Sequence, residues 1–348
     1  MHRSALLTSL LLFTVACSAA PVDEPADDDS AALANAGAQA KALNELTGIS
    51  ESTALHLGVD SSDAVWYSRD KELRIAGNSR YVDAPTDFAG FSGPWFAGAE
   101  GFVVRREVKA LLGIGNPSDY LYTAGANPTP RAQARYIHPA MTVDETGAVI
   151  LIGSAFVGAD PAIPFEVGFY SISRKGEVRY LGASRRDGVP ASTACEARKL
   201  VATSTAFTAM FSCSGLVSSV VSVPRAGGEA TYVVPPSSQA HVTDIAVGAG
   251  DTLYVAETSN DNARSAVYSL AAGKRTELGT ALNGHLAYRN GKLFVGDASG
   301  KVSLRDAAGT RVIAQLGAPI VQLEPTSTGV AMLTRKKDAA TIATVEGR

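Results

Sequence analysis

One unit recurs along this chain and restricts its fold more than any other feature. An apolar run is followed by a turn rich in Asp, Ser or Gly, then by a second run. A polar loop leads to a third run, and a tight Gly-containing turn leads to a fourth. The clearest copy reads Thr243-Asp244-Ile245-Ala246-Val247, Thr252-Leu253-Tyr254-Val255-Ala256, Ala266-Val267-Tyr268-Ser269-Leu270 and Arg275-Thr276-Glu277-Leu278. Its last turn, Ala271-Ala272-Gly273-Lys274, has equivalents at Arg174-Lys175-Gly176-Glu177, Arg225-Ala226-Gly227-Gly228 and Asp306-Ala307-Ala308-Gly309. An alternating run precedes each of these, and period-two alternation packs one face of a strand while leaving the other less covered. Units start near residues 53, 91, 136, 195, 241, 285 and 319, a period of about 44 residues.

A four-stranded unit cannot keep both faces dry alone, and radial stacking supplies the missing neighbours. The chain is therefore predicted to be all-β, a single β-propeller of seven four-stranded blades. Six or eight blades fit the less regular first two units, and two independent sandwiches are the competing arrangement. The last unit, 320–345, holds three strands, so a segment near 46–52 is expected to supply the fourth and close the ring. The 33 glycines and 16 prolines suit many short strands, and 46% hydrophobic residues among 348 suffice for a core. A formal net charge of −3 gives no long-range attraction to nucleic acid. Aromatic residues, 7% of the chain, are not interleaved with a basic stripe.

The N-terminus carries an address. His2 and Arg3 precede an apolar run, 5–16, too short for a membrane span but suited to a secretory signal. Thr14-Val15-Ala16-Cys17 resembles a bacterial lipobox, with Thr14 in place of the usual leucine. That resemblance implies a signal peptide over 1–16, acylation of Cys17 and, since Ser18 rather than Asp follows, sorting to the outer membrane. Ordinary cleavage after Ser18-Ala19-Ala20, giving a periplasmic or secreted protein, is the alternative. Residues 17–46, acidic at first (Asp23, Glu24, Asp27, Asp28, Asp29) and then Ala-rich, read as a tether. The propeller is expected over 47–348.

Cys195 and Cys213 remain as an even pair for an oxidising compartment. Antiparallel partners have a constant sum of residue numbers, and this pair centres on Ser204, between the runs Lys199-Leu200-Val201-Ala202 and Phe207-Thr208-Ala209-Met210-Phe211. A disulfide across that hairpin is expected. Two free buried thiols are the alternative.

Val221-Ser222-Val223-Pro224-Arg225-Ala226-Gly227-Gly228, with Asp244-Ile245-Ala246-Val247 and Leu253-Tyr254-Val255-Ala256, is similar to the repeats of YWTD- and NHL-type propellers, particularly those of bacterial lipoproteins. The likeness spans 136–318 well and the rest loosely, and the Tyr-Trp-Thr-Asp tetrapeptide is absent. These motifs specify a blade rather than an activity.

No nucleophile elbow, phosphate-binding loop, HExxH motif or close cysteine pair occurs. Four histidines, His56, His138, His241 and His285, lie at or just before the first strand of their units, where propeller strands encircle a channel. A divalent metal is the one cofactor such a ring of imidazoles would hold. Asp60 and Asp144 open turn sequences, whereas Asp244 could join the channel. Trp66 and Trp95 read as packing residues, and 185–188 as a solvated loop. The expected function is a membrane-tethered, non-enzymatic scaffold that binds an envelope protein or glycan. The alternative is a metal-dependent hydrolase or lyase working through the channel histidines.

Overall fold

The computed structural model describes residues 40–50, 53–69, 72–78, 81–83, 88–97, 100–107, 118–124, 129–162, 167–184, 195–215 and 217–347. The leader, Cys17, most of the expected tether and the 185–188 loop lie outside the described residues. The described residues form 27 strands in five four-stranded sheets and one seven-stranded sheet, all antiparallel between neighbours.

The first four-stranded sheet is β2 (Leu55–Val59), β3 (Val65–Arg69), β4 (Glu72–Ile75) and β5 (Tyr81–Asp83); β1 (Lys41–Thr47) precedes it and pairs elsewhere. The seven-stranded sheet runs through β6 (Phe88–Ala97), β7 (Glu100–Glu107), β8 (Ser118–Ala124), β9 (Pro130–Val143), β10 (Val149–Phe156), β11 (Gly168–Ile172) and β12 (Val178–Ala183). Next come β13 (Cys195–Ala202), β14 (Ala206–Cys213), β15 (Val217–Pro224) and β16 (Thr231–Val234). They are followed by β17 (Ala240–Val247), β18 (Leu253–Ser259), β19 (Ser265–Ala271) and β20 (Lys274–Gly279). The fifth group is β21 (His285–Arg289), β22 (Lys292–Gly296), β23 (Lys301–Asp306) and β24 (Gly309–Gln315). In the last sheet β25 (Ile320–Pro325), β26 (Gly329–Lys336) and β27 (Ala339–Glu346) are completed by β1, the first strand of the chain.

Turn chemistry explains where the strands stop. Asp60 accepts the Ser62 and Ala64 N–H groups at 2.8 and 3.0 Å, and Asp144 accepts those of Thr146 and Ala148 at 2.9 and 3.0 Å. Asp297 repeats the device with Ser299 and Lys301. A carboxylate that bonds its own downstream backbone fixes a turn, so these aspartates belong to the scaffold. Asn290-Gly291, with φ of 52° and 79°, makes the two-residue hairpin between β21 and β22.

The first strands touch in a circuit that returns to its start: β2, β6, β9, β13, β17, β21, β25 and again β2. Apolar clusters fill the spaces between successive sheets. Leu200, Phe207 and Val221 pack on Ile150 and Phe169; Val242, Ile245 and Tyr268 pack on Met210 and Val220; Ile320 and Met332 pack on Phe294 and Leu304. Leu46, Leu333 and Ile342 meet Leu57 and Tyr67, which joins the last sheet to the first. The fold is thus a single all-β propeller. Alternation of burial, expected from the sequence, is weaker than predicted in the second strands. In β10 every residue but Ala155 is buried, because a sheet between two neighbours is covered on both faces.

β1 pairs with β27 from Lys41↔Thr344 to Thr47↔Ala339. The closing strand therefore starts inside the stretch that composition reads as tether, and it ends where the closing segment was expected to begin. Bulges recur at two places. In the fourth strands the extra residue falls at Leu181, Val233, Leu278 and Ile313, and β1 has its own at Leu43, which marks it as a fourth strand. In the first strands it falls at Arg198, Thr243 and Val321, with wider irregularities at 138–140 and 93–94.

A chain lacking residues 41–47 should lose closure. Leu43 and Leu46 alone account for about 3 kcal/mol of burial. Thermal unfolding should broaden and shift down, and light scattering should reveal association through the uncovered β27 edge.

Candidate functional site

A bulge turns the following side chain out of the regular pleat. In the first strands, side chains at or just after the bulge turn sideways onto the next sheet. His138 Nδ1 accepts the Ala197 N–H at 2.9 Å, Asp244 Oδ2 accepts the Leu286 N–H at 2.8 Å and Gln322 Oε1 accepts the Leu57 N–H at 2.9 Å. Gln322 Nε2 also donates to the Leu57 carbonyl at 2.9 Å. Each contact binds one sheet to its successor.

Lys199 holds the corresponding place in β13, and a lysine has no acceptor to offer. Its Nζ instead reaches across β17: it lies 2.8 Å from Asp244 Oδ1 and donates to the Leu286 carbonyl at 2.8 Å. Asp244, 4% exposed, also accepts its neighbour Ile245 N–H at 2.7 Å, and His285 Nδ1 stands 3.7 Å from its Oδ2. Burial pushes the Asp244 carboxyl upward, but Lys199 and His285 together outweigh burial and hold it below its ordinary value.

Beside this hub lies a cavity of about 440 Å³ in the channel. Leu55, Ser212, His241 and Asn283 line it at the ends where the first strands begin, and Trp95 and Glu324 line it toward the ends where those strands finish. Trp95 is anchored by donating its indole N–H to the Pro139 carbonyl at 3.0 Å. Glu324 accepts from Gln322 Nε2 at 2.9 Å. Its side chain keeps some surface open to the cavity. Burial, reinforced by the Asp244 charge and opposed by Lys199 and the Gln322 bond, pushes the Glu324 carboxyl up to about 7. Two carboxyl groups on one cavity are thus driven in opposite directions. A smaller cavity of about 220 Å³ lies between the sheets containing β19 and β23. Arg311 there pairs with Asp306, and Arg305 donates to the Leu278 carbonyl.

Three of the four histidines singled out in the sequence, His56, His241 and His285, line the channel cavity. His138 lies behind the wall, 3% exposed, and serves as a backbone acceptor with its ring edge-on to Tyr136 at 4.8 Å. Burial, helped by the Arg198 charge, lowers both His56 and His138 to about 4, so both are neutral at pH 7. Among the described residues no group of three or more His, Cys, Asp or Glu is arranged to hold a metal. Trp66 packs on Phe96 and donates to Asp60 at 2.9 Å, whereas Trp95 both packs and lines the cavity. Cys195 and Cys213 form the expected disulfide across the β13–β14 hairpin. Lys199, Gln322 and Glu324 escaped the sequence reading because only the bulges bring them to the channel.

No family model and no curated protein matches this chain. Solved structures do. Raptor from Chaetomium thermophilum is similar with a TM-score of 0.52 at 12% identity, covering 89% of this chain and 30% of its own. The Cps50 (Swd1) β-propeller domain of Myceliophteria thermophila gives 0.52 at 10% identity, covering 88% of this chain and 99% of its own. The computationally designed Ika8 protein gives 0.51 at 12% identity, covering 87% and 99%. The present chain spans less than a third of Raptor. At such identities the likeness shows the fold alone, a β-propeller.

Replacing Lys199 by Met leaves the Asp244 charge buried without its partner and should destabilise the protein by about 3–5 kcal/mol, read from urea unfolding. The pH dependence has two opposing parts. His56 and His138 fall from 6.5 to about 4 on folding, so their contribution is whole above pH 6.5 and lost as pH falls toward 4. His138→Gln should flatten that acid limb by ~1–3 kcal/mol. Glu324 rises from 4.5 to about 7, so its contribution is whole below pH 4.5 and lost as pH climbs to 7. Glu324→Gln should therefore be relatively more stable than the parent at pH 8 than at pH 4.5.

Proposed function

We propose that the chain is a lipid-tethered lipoprotein of the bacterial envelope, anchored in the outer membrane, whose propeller is a binding scaffold. Its blades number seven in this reading, with repeats of the YWTD/NHL kind. The count follows if the seven-stranded sheet is two blades sharing β9: residues 130–134 pair with β8 and residues 134–143 with β10, and an apolar cluster including Phe102, Leu121, Leu151 and Tyr170 lies between the halves. The lipobox-like end, the acidic spacer and a disulfide suited to an oxidising compartment support the address.

Strand direction carries the functional reading. Lys41 pairs with Thr344, beside the end of β27 at Glu346 and the start of β26 at Gly329, so β1 begins where the first strands finish. The lining residues Leu55, Ser212, His241 and Asn283 stand at the opposite ends, where the first strands start. An anchor upstream of Lys41 leaves the cavity face turned away from the membrane and open to partners.

Metabolic labelling with a radioactive fatty acid in a bacterial host should mark the full chain, and Cys17→Ala should abolish the label and release the protein to the soluble fraction. A photo-crosslinking residue at Asn283, on the cavity lining, should capture envelope components that the same residue at Ser62, in the β2–β3 hairpin, does not. Labelling that survives Cys17→Ala, or equal capture from both faces, would reverse the reading.

A further inference from the structure

We propose that the channel cavity binds a neutral, hydroxyl-rich ligand of one or two sugar rings. The inference deepens the binding reading by giving the exposed face a ligand class. The volume of about 440 Å³ lies in the range of small-molecule sites, ~300–1,000 Å³.

Charge around the cavity is matched within the protein. Lys199 is paired with Asp244 at 2.8 Å and Arg198 with Glu196 at 2.9 Å. An anion entering the cavity meets the ionised Asp244 carboxylate, and a cation meets Arg198 and Lys199, so neither sign gains a clear field. A hydroxyl group avoids this conflict because it both donates and accepts.

The wall offers partners of both kinds. Lys199 spends two of its three N–H donors on Asp244 and Leu286, leaving the third for an acceptor. Glu324, on the wall, has one oxygen engaged by Gln322, and a carboxyl has a second oxygen to offer. His56, neutral and on the wall, presents an acceptor and a donor. Trp95, held on the wall by its bond to Pro139, supplies the apolar surface that the C–H face of a sugar ring requires.

The test is calorimetric titration of the full chain, in a detergent without a sugar headgroup, with glucose, galactose, mannose, N-acetylglucosamine and cellobiose. Citrate, inorganic phosphate and spermidine serve as charged comparators. At least one sugar should bind more tightly than every charged comparator. Trp95→Ala should weaken that sugar by about tenfold or more, ~1.4 kcal/mol. Because Trp95 also packs, Ser212→Tyr on the cavity lining gives a second reading: it obstructs entry while leaving the hub intact, and should also abolish binding.

Absence of heat with every sugar at about 10 mM, far above usual small-ligand affinities, overturns the proposal. So does tighter binding of a charged comparator, or sugar binding indifferent to Ser212→Tyr. A chain that binds no sugar but still crosslinks through Asn283 loses this inference alone. One that binds sugar without carrying a fatty acid loses the envelope reading alone.

Discussion

An innermost propeller strand has one hydrogen-bonded neighbour, so its other edge faces the channel with backbone groups that water cannot easily reach. Leaving such groups unpaired is expensive. Here the first strands answer with side chains redirected by bulges: His138 for Ala197, Asp244 for Leu286 and Gln322 for Leu57. The requirement to satisfy that edge fixes the spacing between sheets, and the same contacts shape the channel wall. The polar character of the cavity is therefore partly a by-product of holding the ring together.

Asp244 shows how closely the two roles are joined. It takes hydrogen bonds from β17 and β21 and a salt bridge from β13, so one carboxylate ties three successive sheets. Its ionised state rests on Lys199, and its charge in turn helps to keep the Glu324 carboxyl protonated near neutrality. Structure thus prepares two different carboxyl groups on one cavity: one saturated with partners, the other open on one side.

Local signals made much of the scaffold legible. The arithmetic centred on Ser204 foretold the Cys195–Cys213 register, and the Asp-led turns at Asp60 and Asp144 were readable from their own residues. Unit starts near 195, 241 and 285 fall within one residue of the strands found there. What stayed hidden depends on contacts distant in sequence. No local pattern distinguishes His138, a buried acceptor for β13, from His56 on the cavity wall. Nor does 40–46, which continues an Ala-rich stretch, announce a strand, because its partner β27 lies at the other end of the chain. Lys199 and Glu324 look like ordinary strand residues until extra residues at Arg198 and Val321 turn their strands.

The pairing of β1 with β27 imposes an order on biosynthesis. The first strand made must wait for the last, some 300 residues later, before it has a backbone to bond. At ribosomal speeds that delay is roughly 15–60 s. Throughout it, an edge rich in unpaired amides and the apolar side of Leu46 have no home within the molecule. A nascent chain of this design therefore has reason to keep its early portion in the company of a chaperone until the final hairpin arrives.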